Sequence, residues 1–527
     1  MSRACRAALV AALAAACATG SNAPAPGPAN SSAVAGALAP PPPASTQAAA
    51  PAPAPRVPVK GEEAIARQPA LPPLKEFEAP VPKLVTLKNG LKLYLVERKG
   101  GGVEAVRLLV RRGASYDPPD RPGLASMTAA MMEAGSAGKS EADIASAADA
   151  LGASLGVEAG QDALTVGISG MTAKLPQMVK LLADVALRPN MDPKEWERLQ
   201  GQRVAELAAA RAQIRTGAAL AFKAAAYGAH PLARPVEGTP ESVKAMKLEE
   251  VTAFFGAFAP DQAALVAVGG APEAEVVKRL TEAFSGWKRA GAAPAPPPAV
   301  APVPQDRPRL VLVDYPGKTQ SVLMVGQPAV PRSSPDFLAL TLLNSVLGGS
   351  FTSRLNQNLR EQHGYTYGAS SRFAFGADRG PFVAVAQVER DVTGPALKEM
   401  LGEISRAVSE PLSAEELSKG RALLAYDLVQ MLEHADAAAG GISVLYVYDL
   451  PLDEYRTFVG RLKALTAQDV QAAARRALQP EKMTVAVAGD RKAVEPQLKK
   501  EAPLKLPAPQ LRDAGGKLVA DAPGTKG

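Results

Sequence analysis

Two stretches, one late in each half of the chain, end alike: AMKLEEVTAFFGAFAPDQAALVAVGG (Ala245–Gly270) and ALTAQDVQAAARRALQPEKMTVAVAGD (Ala464–Asp490). Each reads as an amphipathic helix, a proline stop (Pro260, Pro480), a charged residue and an apolar β-run closed by Gly269 or Gly489. The starts of the halves correspond as well. LVTLKNGLKLYLVER alternates apolar and polar residues around Asn89 and Gly90, a strong hairpin signal, and VEAVRLLVRRGAS adds a strand. RLVLVDYPGKTQSVLMVGQ repeats a strand, a turn and a strand further on, and each half then places a helix of small and apolar residues. A repeat on this scale decides architecture before any single residue is interpreted. The expected fold class is α+β: two homologous halves, each of mainly antiparallel sheets packed with helices, forming a clam-like chamber with the natural site between them.

The boundaries follow from composition. With 527 residues, 47% hydrophobic and 21% charged, the chain can bury more than one core. Residues 1–17 carry Arg3 and Arg6, an apolar run and small residues before Cys17, the pattern of a secretion signal. Cys17 stands where a bacterial lipoprotein is acylated; cleavage after an A-x-A site is the other reading. Either implies export to the periplasm or cell envelope. Residues 18–75 read as an Ala/Pro-rich tether that cannot form a core, and 290–308 as a second Pro-rich tract. The two halves are then 76–289 and 309–501, and 502–527 reads as a tail without structure. Cys5 and Cys17 are the only cysteines, so the folded part has neither disulfide nor thiolate metal site. A net charge of +7, scattered along the chain with aromatic residues at 5%, excludes a nucleic-acid groove, which needs a concentrated basic stripe.

Four segments, in order and across both halves, carry a resemblance: LKNGLKLYLVE, RRGASYDPPDRPGLA, AYGAHPLARPVEGTPESV (Ala226–Val243) and LGGSFTSRLNQNLREQHGYTYGASS (Leu347–Ser371). On these the chain resembles the pitrilysin/insulinase family of zinc peptidases, in the branch of the processing peptidases, from Pro82 to Lys500. In active members the helix after GLA carries H-x-x-E-H. Residues i and i+4 share a helix face, so two imidazoles take neighbouring corners of a tetrahedral Zn²⁺ while the Glu serves as general base. Carried onto this sequence, the two histidine positions fall on Ser126 and Ala130, the Glu on Ala129, and the third ligand, from a later helix, on Glu206. Ala offers no donor atom and a Ser hydroxyl is a poor zinc ligand. The resemblance thus implies a chain with no cofactor of its own. Nearby Glu133 has no histidine beside it to rescue the motif.

The second half keeps Arg360 and Tyr367 at the spacing of a family pair that reaches into the chamber. An Arg fork suits peptide carbonyls, and a Tyr hydroxyl can donate to a developing oxyanion; an ion pair of Arg360 with Glu361 or Asp378 and a half-buried strand aromatic are the structural alternatives. The three histidines, His230, His363 and His434, include no pair within one helical turn. QMLEH (Gln430–His434) mimics the zinc motif with its first His replaced. LGGS lacks the Gly-Lys-Ser/Thr ending of a phosphate loop. The implied role is the zinc-free, substrate-binding subunit of a heteromeric endopeptidase, partnered by a zinc-bearing homologue and acting on extended peptides. A peptide-binding scaffold without chemistry and an autonomous peptidase with an unorthodox site are the other readings.

Overall fold

A computed structural model describes residues 77–289, 291, 300–500 and 506–519. The expected signal, Cys17 and the tether of residues 18–75 lie outside the described residues. The strands are β1 (Lys83–Thr86), β2 (Lys92–Glu97), β3 (Val103–Val110), β4 (Ser154–Ala159), β5 (Leu164–Met171) and β6 (Ala263–Gly269) in the first half. The second half has β7 (Arg309–Asp314), β8 (Gln320–Pro328), β9 (Thr366–Phe373), β10 (Pro381–Glu389), β11 (Thr484–Gly489) and β12 (Gln510–Arg512). The main helices of the first half are α1 (Leu124–Glu133), α2 (Glu141–Leu151), α3 (Leu175–Leu187), α4 (Pro193–Arg211), α5 (Ile214–Tyr227), α6 (Leu248–Gly256) and α7 (Glu273–Phe284). Those of the second are α8 (Phe337–Leu347), α9 (Thr393–Ser409), α10 (Ala414–Glu433), α11 (Ala435–Val447), α12 (Glu454–Ala464), α13 (Ala467–Ala477) and α14 (Arg491–Lys500).

One sheet runs β4-β5-β3-β6-β2-β1 and the other β9-β10-β8-β11-β7-β12, so the repeat read from the sequence is present in five of the six strands, and the outer strands β1 and β12 differ in origin. The hairpin at Asn89–Gly90 forms as expected: β1 and β2 pair antiparallel, with Gly90 at φ +88°. Most neighbours are antiparallel, but β6 inserts parallel to β2 in the first half and β11 parallel to β7 in the second. RLVLVD and QSVLMVGQ are therefore not hairpin partners, because β11 lies between them. The tail expected to lack structure is corrected in part. Its residues Gln510–Arg512 form β12, parallel to β7, and half-buried Leu506 and Leu511 pack on the second core. The physical reason is the open edge of β7. In the first half β1 covers the corresponding edge of β2; in the second, the chain's last described segment does so.

All seven residues of β6 and all six of β11 are buried, which requires cover on both faces of each sheet. One face of each packs on helices of its own half, with Leu93, Leu108 and Leu265 in one core and Leu312, Leu323 and Val485 in the other. The opposite face is covered by a helix from the other half. α5 of the first half lies on β7, β8 and β11, where Ala218, Ala221, Phe222, Ala225 and Tyr227 meet Val311, Val322 and Ala486. α11 of the second half lies on β3 and β6. Both helices are rich in Ala and Gly, which lets the backbone approach closely; a Cβ on Gly217 would fall 2.2 Å from the Tyr315 hydroxyl. Polar contacts pin the exchange. Arg107 pairs with Asp436 at 2.9 Å, Arg111 donates to Asp449 at 3.0 Å and stacks on Tyr446 at 4.3 Å, and Tyr227 donates to the Arg379 carbonyl at 2.8 Å. The clam expected from the sequence is thus closed by exchange, each half presenting to the other a face filled by a helix.

Candidate functional site

The loops that carried the resemblance meet at the start of α1. The Asp117 carboxylate accepts from the backbone N–H of Gly123 (2.8 Å) and Ala125 (2.9 Å), satisfying donors that a helix N-terminus leaves free. Burial pushes its pKa up to about 6 against the pull of those hydrogen bonds. Gly123 sits at φ +97°, and a Cβ there would lie 2.8 Å from the Gly238 Cα. The Ser242 hydroxyl donates to the Pro122 carbonyl at 2.7 Å, and Arg234 donates to the Asp117 carbonyl at 3.2 Å. RPGLA and VEGTPES are therefore two loops in direct contact, and together they fix where α1 begins.

α1 has the length and apolar face of the expected helix. Leu124, Ala125, Met127, Thr128, Met131 and Met132 are buried. Ala129 is buried as well, while Ser126 and Ala130 are half-buried on the side toward α4. The structure brings Ser126 and Glu206 together through a residue that the sequence reading missed. Arg203, one turn before Glu206, lies with Nη1 3.5 Å from Ser126 Oγ and Nε 3.5 Å from Glu206 Oε2. The other carboxylate oxygen, Oε1, accepts from Gln202 at 2.8 Å. Glu133 is committed elsewhere, accepting from the Val157 N–H at 2.7 Å. These residues do not fit zinc. One hydroxyl and one carboxylate with both oxygens engaged make an inadequate donor set, and a guanidinium lies between them. Among the described residues no group of three His, Cys, Asp or Glu is placed to hold a metal.

A second cluster forms around Arg360. The segment Gln357–Gln362 is π-helical, an irregularity that recurs at functional sites because it re-aims side chains. Its footing is rigid: Arg354 makes a two-toothed pair with Glu416 (2.6 and 2.8 Å), and Asn358 donates to Glu399 and Glu403. Arg360 pairs with Glu361 at 3.3 Å, not with Asp378. Its guanidinium also lies 5.2 Å from the ring of Tyr367 and 4.6 Å from the ring of Phe351, a cation between two aromatic faces. Tyr367 is not a half-buried strand aromatic. It is 90% exposed at the start of edge strand β9, where a register shift between Thr366 and Ala369 turns it outward. Phe351, 57% exposed, was missed in the sequence; an aromatic residue set in the small polar turn GGSFTS was the available signal. No hydrogen bond or ion pair links this cluster to Ser126 or Glu206 among the described residues.

Two of the three histidines have structural partners. Buried His230 accepts from the Leu232 N–H at Nδ1, leaving Nε2 3.0 Å from Asp378 of the other half. His363 stacks on Tyr365. His434 stands at the junction of α10 and α11, and Gln430 of the QMLEH stretch donates to the Tyr426 hydroxyl at 2.7 Å. An open groove of about 610 Å³ lined by Lys139, Glu141, Asn190, Glu195 and Arg198 includes none of the residues above.

Comparison with known proteins fits this geometry. Residues 95–240 match the family model described as insulinase (peptidase family M16), and residues 245–424 match the one described as peptidase M16 inactive domain. The second description attaches to the half with Arg360, whereas the emptied helix lies within the first match. An uncharacterized zinc protease of Mycobacterium tuberculosis is 24% identical over 414 residues, 78% of this chain and 94% of the relative. A non-peptidase homologue of Helicobacter pylori is 23% identical over 272 residues, 51% of this chain and 62% of the relative. Among solved structures, a peptidase M16 inactive domain from Pseudomonas fluorescens superposes with a TM-score of 0.72 at 26% identity, covering 78% of this chain and 98% of its own. A protease from Helicobacter pylori gives a TM-score of 0.72 at 20% identity, covering 78% and 100%.

Proposed function

The chain belongs to the insulinase family of peptidases (peptidase M16), and from that premise we propose that it is a zinc-free, substrate-binding subunit of a heteromeric endopeptidase acting on peptides. One observation carries the reading: the positions that the resemblance assigns to the metal hold Ser126, Ala129 and Ala130, while half-buried Arg360 stands assembled with the exposed Tyr367. Arg and Tyr donors act on a carbonyl whose oxygen is gaining charge, so they serve catalysis only beside a nucleophile supplied elsewhere. A zinc-bearing homologue would supply it from its own first half. The exchanged helices support this division, since the interior between the halves of this chain is taken by α5 and α11. A peptide chamber is then built between two chains. In this proposal the complex works in the periplasm or envelope, directed there by the N-terminal signal, with Cys17 as a lipid anchor.

Co-expression with a zinc-containing homologue encoded beside it tests the proposal. The chain alone should cleave no peptide and the mixture should. Arg360→Ala in the mixture should lower kcat/KM by roughly 10- to 100-fold, as expected for loss of a donor to a developing oxyanion. Cleavage by the mixture that is unchanged in Arg360→Ala overturns it. A second reading, peptide capture without chemistry, draws on the exposed aromatic faces of Phe351 and Tyr367. Peptide affinity retained in Tyr367→Phe, with no homologous chain co-purifying, would favour it.

A further inference from the structure

Arg203 occupies the place between the first and third metal positions. Its two contacts, 3.5 Å to Ser126 Oγ and 3.5 Å to Glu206 Oε2, set one guanidinium against two of the positions that the resemblance assigns to the metal. The side chain is about a quarter exposed, held between α1 and α4. A guanidinium stays charged at any physiological pH and presents only donors. It therefore places a positive charge beside the Glu206 carboxylate, itself about half exposed, and it offers no lone pair to a metal. Gln202 occupies the remaining oxygen, so Glu206 is engaged on both sides. Loss of ligands alone would leave a carboxylate facing a hydroxyl and an open gap; here the gap holds a cation.

We infer that Arg203 is a resident surrogate for the metal, a built-in monocation that excludes divalent ions from this site and holds α4 against α1 in their stead. The inference rests on the zinc-free reading above and deepens it, because it makes the site closed to metal rather than merely short of ligands. Two obstacles to zinc then exist, and removing one leaves the other. Like charge at contact distance opposes the incoming ion even when all ligands are present.

The full chain carries the test, with Co²⁺ as the probe because its visible absorption reports coordination directly. One variant restores the motif with Ser126→His, Ala129→Glu and Ala130→His; a second adds Arg203→Ala. Circular dichroism and the thermal transition verify that each is folded, and Arg203→Met replaces Arg203→Ala if the smaller residue impairs folding. The expected result is Co²⁺ binding at least a hundredfold tighter in the variant without Arg203. Affinities within threefold of each other overturn the inference. So does failure of the folded four-residue variant to bind Co²⁺, since something other than Arg203 would then close the site. The division of labour proposed above fails on a different measurement, the effect of Arg360→Ala on cleavage, so the two outcomes are distinguishable.

Discussion

Phe222 is the residue at which the helix exchange can be tested most sharply. It belongs to the first half by sequence, is 3% exposed, and packs in the core formed by α5 on the second sheet. Phe222→Ala removes a buried aromatic ring and leaves a void, a change that costs about 3–5 kcal/mol. Where that loss appears depends on whether the halves unfold together. Roughly 430 residues unfolding as one unit carry an entropy of about 0.9 kcal/mol per kelvin, so a loss of about 4 kcal/mol lowers Tm by roughly 4–5 °C. If the second half melted by itself, about 200 residues would carry about 0.4 kcal/mol per kelvin, and the shift would be roughly 10 °C in one transition and none in the other. Differential scanning calorimetry distinguishes these outcomes, with the calorimetric to van't Hoff enthalpy ratio as a check on cooperativity. The expected result is a single transition moved by the smaller amount. Two transitions, of which only one moves, would refute the interlocked arrangement as the unit of stability.

Three further predictions follow from other parts of the molecule. Glu104, 1% exposed in β3, accepts from the Ala271 N–H at 2.9 Å, and burial pushes its pKa up to about 7. A carboxyl group raised in the folded state stabilises below its unfolded pKa near 4.5 and loses that contribution as pH rises through about 7, a loss of roughly 3 kcal/mol when complete. Glu104→Gln should therefore gain stability over the wild type at pH 8.5 and not at pH 4.5 in urea titrations; a pH-independent difference contradicts the assignment. Gly123→Ala forces a left-handed backbone on alanine and a contact with Gly238, and should cost about 2 kcal/mol or more in the same assay. Truncation after Lys505 removes β12 and uncovers the edge of β7, so it should lower stability by about 2 kcal/mol and promote self-association, read by light scattering.

The sequence made the fold legible wherever its information is local or repeated. The hairpin at Asn89–Gly90, the helices and the duplication of the two halves all follow from periodicity and turn residues. It did not reveal where α5 and α11 would pack, although both sequences are rich in Ala and Gly, which suits close approach to a sheet. Which half supplies the cover is a long-range matter that periodicity does not carry. β12 was hidden in a Pro- and Gly-containing tail because its pairing depends on an edge left open two hundred residues earlier. At the site, the family resemblance pointed to Ser126, Ala129, Ala130 and Glu206, and the structure places Arg203 in contact with both Ser126 and Glu206. Arg203 itself was obscured by being one of three arginines on a polar helix. Phe351 was obscured because exposed aromatics and core aromatics look the same in one dimension.

The exchange of α5 for α11 also changes what the Pro-rich connection between the halves has to do. Each half lends the other the helix that roofs its sheet, so neither is a finished protein even when its own strands are complete. Produced separately, each would expose the bare apolar face of a six-stranded sheet and a stray helix with no roof to form. Joined, they need no hinge. A cut anywhere in the connecting tract should leave two fragments that copurify as a tight pair, exchanging no subunits at ordinary concentrations. The connection then delivers both halves in equal number and at once, and either half produced without the other should fail to reach a stable fold in a calorimetric melt.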